Sequence, residues 1–244
     1  MKQMLALDAR YWTALCAASL FGANMGDFFS RNLHLGYIRG LPFLAAGFAL
    51  VFVLGRRATA RSDAYYWVAI VIVRTVATNL ADLATHDLWL AYAWVITGLA
   101  VLLAASLLPA ARRRTARQPA DSAAPDGVYW VSMLIAGTLG TAIGDGAADD
   151  LGLGVGAASV ALGIGAAILL AAWTRSTVWT VAVYWATVVA IRAAGTTASD
   201  FLAGRHGLGL GLPLSTGCTG LLLLAVLVLW QRLEPGRGLA PVPD

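Results

Sequence analysis

Long apolar runs alternate with short polar breaks along the whole chain, and four of the runs end on an aspartate. Aligned on the acid they read YWTALCAASLFGANMGD to Asp27, YWVAIVIVRTVATNLAD to Asp82, YWVSMLIAGTLGTAIGD to Asp145 and YWATVVAIRAAGTTASD to Asp200. The pairs Tyr11–Trp12, Tyr66–Trp67, Tyr129–Trp130 and Tyr184–Trp185 therefore fall at one common offset. An L-x-L-G-Y tag follows at a fixed distance: Leu33 to Tyr37, Leu88 to Tyr92, Leu151 to Val155, and a worn copy from His206 to Leu210. A second apolar run follows each tag. The runs are long and lack alternation, so they predict helices rather than strands. The expected spans are 11–30, 36–55, 66–85, 90–110, 129–148, 153–173, 179–202 and 208–230, each near the ~20 residues that cross a ~30 Å hydrocarbon core.

The expected fold is all-α: a polytopic membrane protein with eight transmembrane helices. Two crossings return the chain to its starting side, so the four two-helix repeats run parallel, not inverted. Repeats 1 and 3 share a glycine pattern, GANMG and GTAIG, while repeats 2 and 4 carry Arg74 and Arg192 at matching positions. This pairing predicts two similar four-helix halves, 1–117 and 128–244, joined by a polar linker at 118–127 within ARRRTARQPADSAAPDG.

Composition agrees with the membrane class. The chain is 59% hydrophobic and 12% charged, with mean hydropathy +0.73, which excludes an ordinary soluble domain. Asp8 and Arg10 precede the first run, so no signal peptide is expected. Cys16 and Cys218 have no metal-ligand spacing and read as small packing residues. Basic residues collect at the termini and between repeats: Lys2, Arg10, Arg56, Arg57, Arg61, Arg112, Arg113, Arg114, Arg117, Arg175, Arg232 and Arg237. Only Arg31, Arg39 and Arg205 fall in the loops inside repeats. The positive-inside rule then places both termini in the cytoplasm of a bacterial plasma membrane, with the loops near His34, Asp87, Asp149 and His206 outside. The Tyr–Trp pairs become an aromatic belt at the cytoplasmic interface.

A carboxylate inside an apolar helix is costly in lipid, so four in register mark a working site. Helix geometry puts positions three, four and seven before each acid on the acid's own face. Asn24, Asn79, Thr75, Thr78, Thr138, Thr141, Thr196 and Thr197 fall there. Carboxylates with neutral oxygens are hard-cation chemistry: magnesium, calcium or manganese, or protons and sodium. The expected ion-binding set is Asp27, Asp82, Asp145, Asp200, Asn24, Asn79, Thr78, Thr141, Thr196 and Thr197, with the four acids as metal ligands. The acids lie sixteen residues past the tyrosines, ~24 Å along the helix. They meet either at one central cavity near the outer mouth or in two paired sites, one per half.

Arg74 and Arg192 lie eight residues before their acids and are assigned to gating or to ion pairs. Structural pairing of each with an Asp on a neighbouring helix is one expectation, anion binding another. Gly22, Gly26, Ala77, Ala81, Gly140, Gly144, Gly195 and Ser199 form small-xxx-small spacings that allow close helix approach. Gly36, Gly152, Gly154, Gly207, Gly209 and Gly211 are expected to shape turns. Asp87, Asp149, Asp150 and His86 read as a solvated loop face or a vestibule that attracts cations.

The repeated Gly-Asp with L-x-L-G-Y after it and Tyr-Trp before it resembles a bacterial multi-pass family described as uncharacterised membrane-anchored proteins. The resemblance spans nearly the whole chain and implies the fold and the membrane. Met25-Gly26-Asp27 and Ile143-Gly144-Asp145 are weakly similar to the E-x-G-D-[KR]-[ST] motif of cation/proton exchangers, without its Glu or its basic residue.

The function expected is a transporter or channel for a small hard cation. The alternative is a non-transporting scaffold, sensor or assembly factor with structural Asp/Arg pairs. No nucleophile–base pair is evident, so no enzyme is expected. The expected partners are the bilayer and a small cation, with no nucleic acid; a homo-oligomer is left open. No covalent cofactor is expected, only a bound divalent cation.

Overall fold

A computed structural model of the chain describes residues 7–57, 63–113, 126–175 and 181–233. Residues 118–125 of the expected linker lie outside the described residues, as do Lys2, Arg61, Arg114, Arg117 and Arg237. Among the described residues the structure is helical throughout: α1 (Ala9–Asp27), α2 (Gly36–Arg39), α3 (Leu41–Arg57), α4 (Asp63–Asp82), α5 (Tyr92–Arg113), α6 (Gly127–Ala148), α7 (Gly154–Arg175), α8 (Val181–Ala203) and α9 (Leu212–Leu233). Among the described residues, six helical spans are long and apolar enough to cross a membrane: Gly36–Gly55, Ala64–Asp87, Gly127–Ala148, Gly154–Ala172, Val181–Ala203 and Leu212–Arg232. α1 lies outside that set, and α5 contributes a shorter apolar stretch, Tyr92–Leu108.

Local chemistry sets the helix ends. Asp8 caps α1 by accepting the Tyr11 N–H at 3.1 Å, and Asp126 caps α6 through Tyr129 at 2.8 Å. The expected span 36–55 breaks at Gly40, because Pro42 has no N–H to offer Ile38. The last span starts at Leu212, later than expected, after a turn with left-handed Gly209 and Gly211. His34, Trp89 and Gly152 each lie seven residues past their acid, with φ of 54°, 54° and 64°. Three loops thus share one left-handed step.

Helix packing forms two layers. α1 packs on α4, α4 on α6, α6 on α8, and α8 back on α1, closing a ring of the four acid-bearing helices. The other helices lie outside, each against the acid-bearing helix of the next segment: α3 on α4, α5 on α6, α7 on α8, and α9 on α1. The two sequence halves therefore interlock. Half or more of the α4, α6 and α8 spans is buried (56%, 61% and 50%), against 11%, 11% and 22% for those of α3, α7 and α9. The outer helices expose apolar side chains such as Phe43, Ile168 and Leu221, as a lipid-facing layer requires.

Glycines let the ring close. A Cβ on Gly26 would lie 2.6 Å from Thr78 Cβ (α1 on α4), and one on Gly137 2.9 Å from Ala77 Cβ (α6 on α4). On Gly140 it would lie 2.6 Å from Arg192 Cβ (α6 on α8), and on Gly195 2.7 Å from Ser19 Cβ (α8 on α1). Each of the four interfaces in the ring thus contains a glycine contact, the close backbone approach that small residues permit.

Candidate functional site

Steps of four residues along the inner helices reach successive levels of the ring. The lowest level holds the tyrosines. Tyr11 and Tyr184 hydroxyls are 2.5 Å apart, as are those of Tyr66 and Tyr129. Tyr66 to Tyr11 and Tyr129 to Tyr184 close the square at 3.4 Å each. Each tyrosine also meets the tryptophan of the next helix: Tyr11 with Trp67 at 5.9 Å, Tyr66 with Trp130 at 5.7 Å, Tyr129 with Trp185 at 5.8 Å and Tyr184 with Trp12 at 5.7 Å. The expected aromatic belt is therefore corrected. Trp12, Trp67, Trp130 and Trp185 are all buried, because the pairs face inward and close the bundle around one hydrogen-bonded square.

Leu15, Ile70, Met133 and Val188 form the next level, all fully buried. Above them stand Ser19, Arg74, Gly137 and Arg192, which do not bond to the aspartates. Arg192 Nε donates to Thr141 Oγ1 at 3.1 Å, and Nη1 to the Ser19 carbonyl at 2.9 Å. Its Nη2 donates to the Arg74 carbonyl at 3.2 Å and to Thr78 Oγ1. One guanidinium thus ties α8 to α6, α1 and α4. Arg74 turns the other way, with Nη2 against Met133 Sδ at 3.7 Å. Among the described residues, the expected Asp/Arg pairs are absent for both arginines. Eight residues separate each from its own acid, ~12 Å along a helix.

The upper levels line one cavity of about 370 Å³. Asp27, Asp82, Asp145 and Asp200 all face it, and so do Ala23, Thr78, Thr141 and Thr196, one step below each acid. One step above come Arg31, His86, Asp149 and Gly204, with Arg205 and His206 beside them. Of the two expected arrangements, the single central cavity is the one observed. Asp27 and Asp82 also immediately precede π-helical turns, Phe28–Asn32 and Leu83–Asp87, whereas α6 and α8 continue past Asp145 and Asp200 as regular α-helix. Such turns are frequent at functional sites.

Three expected donors do not line the cavity. Asn24 turns to α9, accepting from Ser215 at 3.0 Å and facing Thr219 at 3.3 Å. The Asn79 amide lies under the α2–α3 junction, where a Cβ on Gly40 would stand 3.7 Å from it. Thr197 bonds carbonyls of its own helix, Ala193 and Ala194, and its methyl faces Gly144 on α6. All three sit three residues before their acid, and the cavity stripe steps by four. Rows of residues four apart are inclined to a helix axis, so they line one cavity only when the helices tilt around it.

Asp27 pairs with Arg31 at 3.6 Å, one turn along. Attraction to that carboxylate raises the Arg31 pKa above its ordinary value and keeps its charge. Among the described residues, no three Asp, Glu, His or Cys side chains stand close enough to ligate one metal ion. The four acids therefore surround the cavity and do not form a preformed metal cluster.

The Repeat of Unknown Function (DUF347) matches three stretches of the chain, residues 10–60, 128–178 and 183–235. Each stretch contains one Tyr–Trp pair, its acid and the apolar helix that follows. No curated protein and no solved structure matches the chain.

Proposed function

The chain belongs to the DUF347 repeat family, and we propose that it is a membrane transporter or channel for a small hard cation. The observation that carries this reading is the cavity shared by Asp27, Asp82, Asp145 and Asp200. Carboxylates with threonine hydroxyls one turn below are the donors that magnesium, calcium, manganese, sodium or proton transfer calls for. In this reading four parallel two-helix repeats supply eight spans. The acid-bearing helices surround the axis and the others face lipid. The cavity mouth lies outside a bacterial plasma membrane, and both termini lie in the cytoplasm.

The closed levels beneath the cavity favour a carrier, or a gated channel, over a standing pore. Arg192 crosses the floor, followed by an apolar level and the tyrosine square. A cation that left by that side would have to displace all three, whereas the cavity opens among Asp149, His86, His206, Arg31 and Arg205. The four acids hold the cation; no covalent cofactor and no bond-making step are part of the proposal.

The test is flux in proteoliposomes across magnesium, calcium, manganese, sodium and protons. Asp27→Asn and Asp145→Asn keep the shape and remove the charge. Both should elute as folded protein by size-exclusion chromatography and lose the flux of the wild type. Folded Asn variants with full flux, or a wild type that moves none of these ions, would refute the proposal.

A further inference from the structure

The strongest unexplained feature lies below the cavity. Arg74 is fully buried, and its Nε and Nη1 have no hydrogen-bond partner among the described residues. Its Nη2 meets only the Met133 sulfur, a weak acceptor. Ser19 Oγ, at the same level on α1, is also fully buried and without a partner. Guanidinium stays protonated in proteins, so Arg74 cannot escape the cost of burial by losing its charge. An isolated buried cation is among the most expensive groups a fold can hold.

Among the described residues, no carboxylate forms an ion pair with Arg74. Arg192, its counterpart across the ring, is a second cation and draws on neutral oxygens of three helices. Below it stand four phenols, Tyr11, Tyr66, Tyr129 and Tyr184, which are neutral groups and not counter-ions. Their hydroxyls are engaged with each other in the square. On α6, Gly137 leaves the guanidinium exposed to the helix backbone, since a Cβ there would lie 3.9 Å from Nη1.

We infer that Arg74, with Ser19, binds a small monovalent anion of the halide type at mid-membrane, separate from the acidic cavity. One guanidinium charge matches one negative charge. The fully buried Leu15, Ile70, Met133 and Val188 one level below, with Met133 in contact with the guanidinium, favour a weakly hydrated halide over phosphate or sulfate, whose hydration and charge are larger. The anion compensates a charge that the aspartates, two levels higher, do not reach by hydrogen bonding. It makes the stability of the closed bundle depend on chloride.

The test compares thermal unfolding of the full chain in detergent micelles in sodium chloride, sodium bromide and sodium gluconate at one ionic strength. Sodium is constant, so occupancy of the cation cavity by sodium does not change between arms. A bound halide raises the midpoint in a saturable way with chloride and with bromide, by mass action on the folded state. Arg74→Gln should abolish the dependence on halide. Ser19→Ala, which changes one hydroxyl, should shift the half-saturating chloride concentration upward by about tenfold, the usual scale for one hydrogen bond to a charged group. It serves as the second variant if Arg74→Gln does not fold. Equal midpoints in chloride, bromide and gluconate would overturn the inference and leave water as the acceptor. An unchanged half-saturating concentration in Ser19→Ala would place the halide elsewhere.

Discussion

Arg192 and Thr141 are joined by a hydrogen bond of 3.1 Å, Nε to Oγ1, at the base of the acidic cavity. The floor of the candidate site is therefore a cation held by a hydroxyl of the site itself. The same side chain reaches α1 and α4, so the cavity and the closure of the ring share one residue.

Arg192→Gln should cost more stability than any other single change at its level. It removes donors from Thr141, Thr78 and two carbonyls, and buried acceptors left unpaired cost roughly 1–3 kcal/mol each. Arg192→Lys should recover only part of the loss, because an ammonium lacks the planar fork that serves three helices at once. Apparent unfolding midpoints in detergent should rank wild type above Lys and Lys above Gln.

The tyrosine square should behave as one unit. Removing one hydroxyl, as in Tyr66→Phe, breaks two of its hydrogen bonds and should cost roughly 1 kcal/mol. A second change at the adjacent Tyr129 should cost less than the first. A double-mutant cycle by denaturant unfolding measures that coupling. Strict additivity would mean that the four hydroxyls do not act together.

Glycine substitutions should separate ring from rim. Gly140→Ala places a methyl 2.6 Å from Arg192 Cβ and 2.8 Å from the Val189 carbonyl, where neither the helix nor the backbone oxygen can move aside cheaply. A loss of roughly 1–3 kcal/mol is expected from such overpacking. Gly163→Ala and Gly165→Ala on α7 meet nothing within 4 Å and should be neutral or slightly stabilising. Folded yield after detergent extraction is a sufficient readout.

Orientation is tested by cysteine labelling in a background lacking Cys16 and Cys218. Cysteines at His86, Asp149 and His206, all around the mouth, should react with an impermeant reagent from outside intact cells. Reaction only after permeabilisation would invert the topology.

Much of this arrangement was written in the spacing. A lone acid in an apolar run is conspicuous, and its recurrence at Asp27, Asp82, Asp145 and Asp200 marks both the repeat and the residues that share one cavity. Thr78, Thr141 and Thr196 followed from one helical turn. Asn24, Asn79 and Thr197 did not belong with them, because three-residue and four-residue neighbours diverge once helices tilt, and sequence alone does not report the tilt. The tyrosines belong to the same stripe: they lie sixteen residues before each acid, four steps along it. Their tryptophan neighbours resembled an interfacial belt closely enough to hide it. The packing of α3 on α4 and of α9 on α1 had no signature, since α3 and α9 are apolar through most of their length and offer no face to match. Mouth residues Arg31, His86 and Asp149 stand one turn beyond their acids, where the sequence reads as loop.

The central claim is that four carboxylates from four helices make one cation site. Equilibrium binding of manganese to the purified protein, followed by electron paramagnetic resonance of the free ion, tests it most directly. The account predicts one class of site, weakened about tenfold or more by each of Asp27→Asn, Asp82→Asn, Asp145→Asn and Asp200→Asn alone, since each removes a charge facing one cavity. Binding that survives unchanged in any two of these folded variants, or no binding by the wild type, would contradict it.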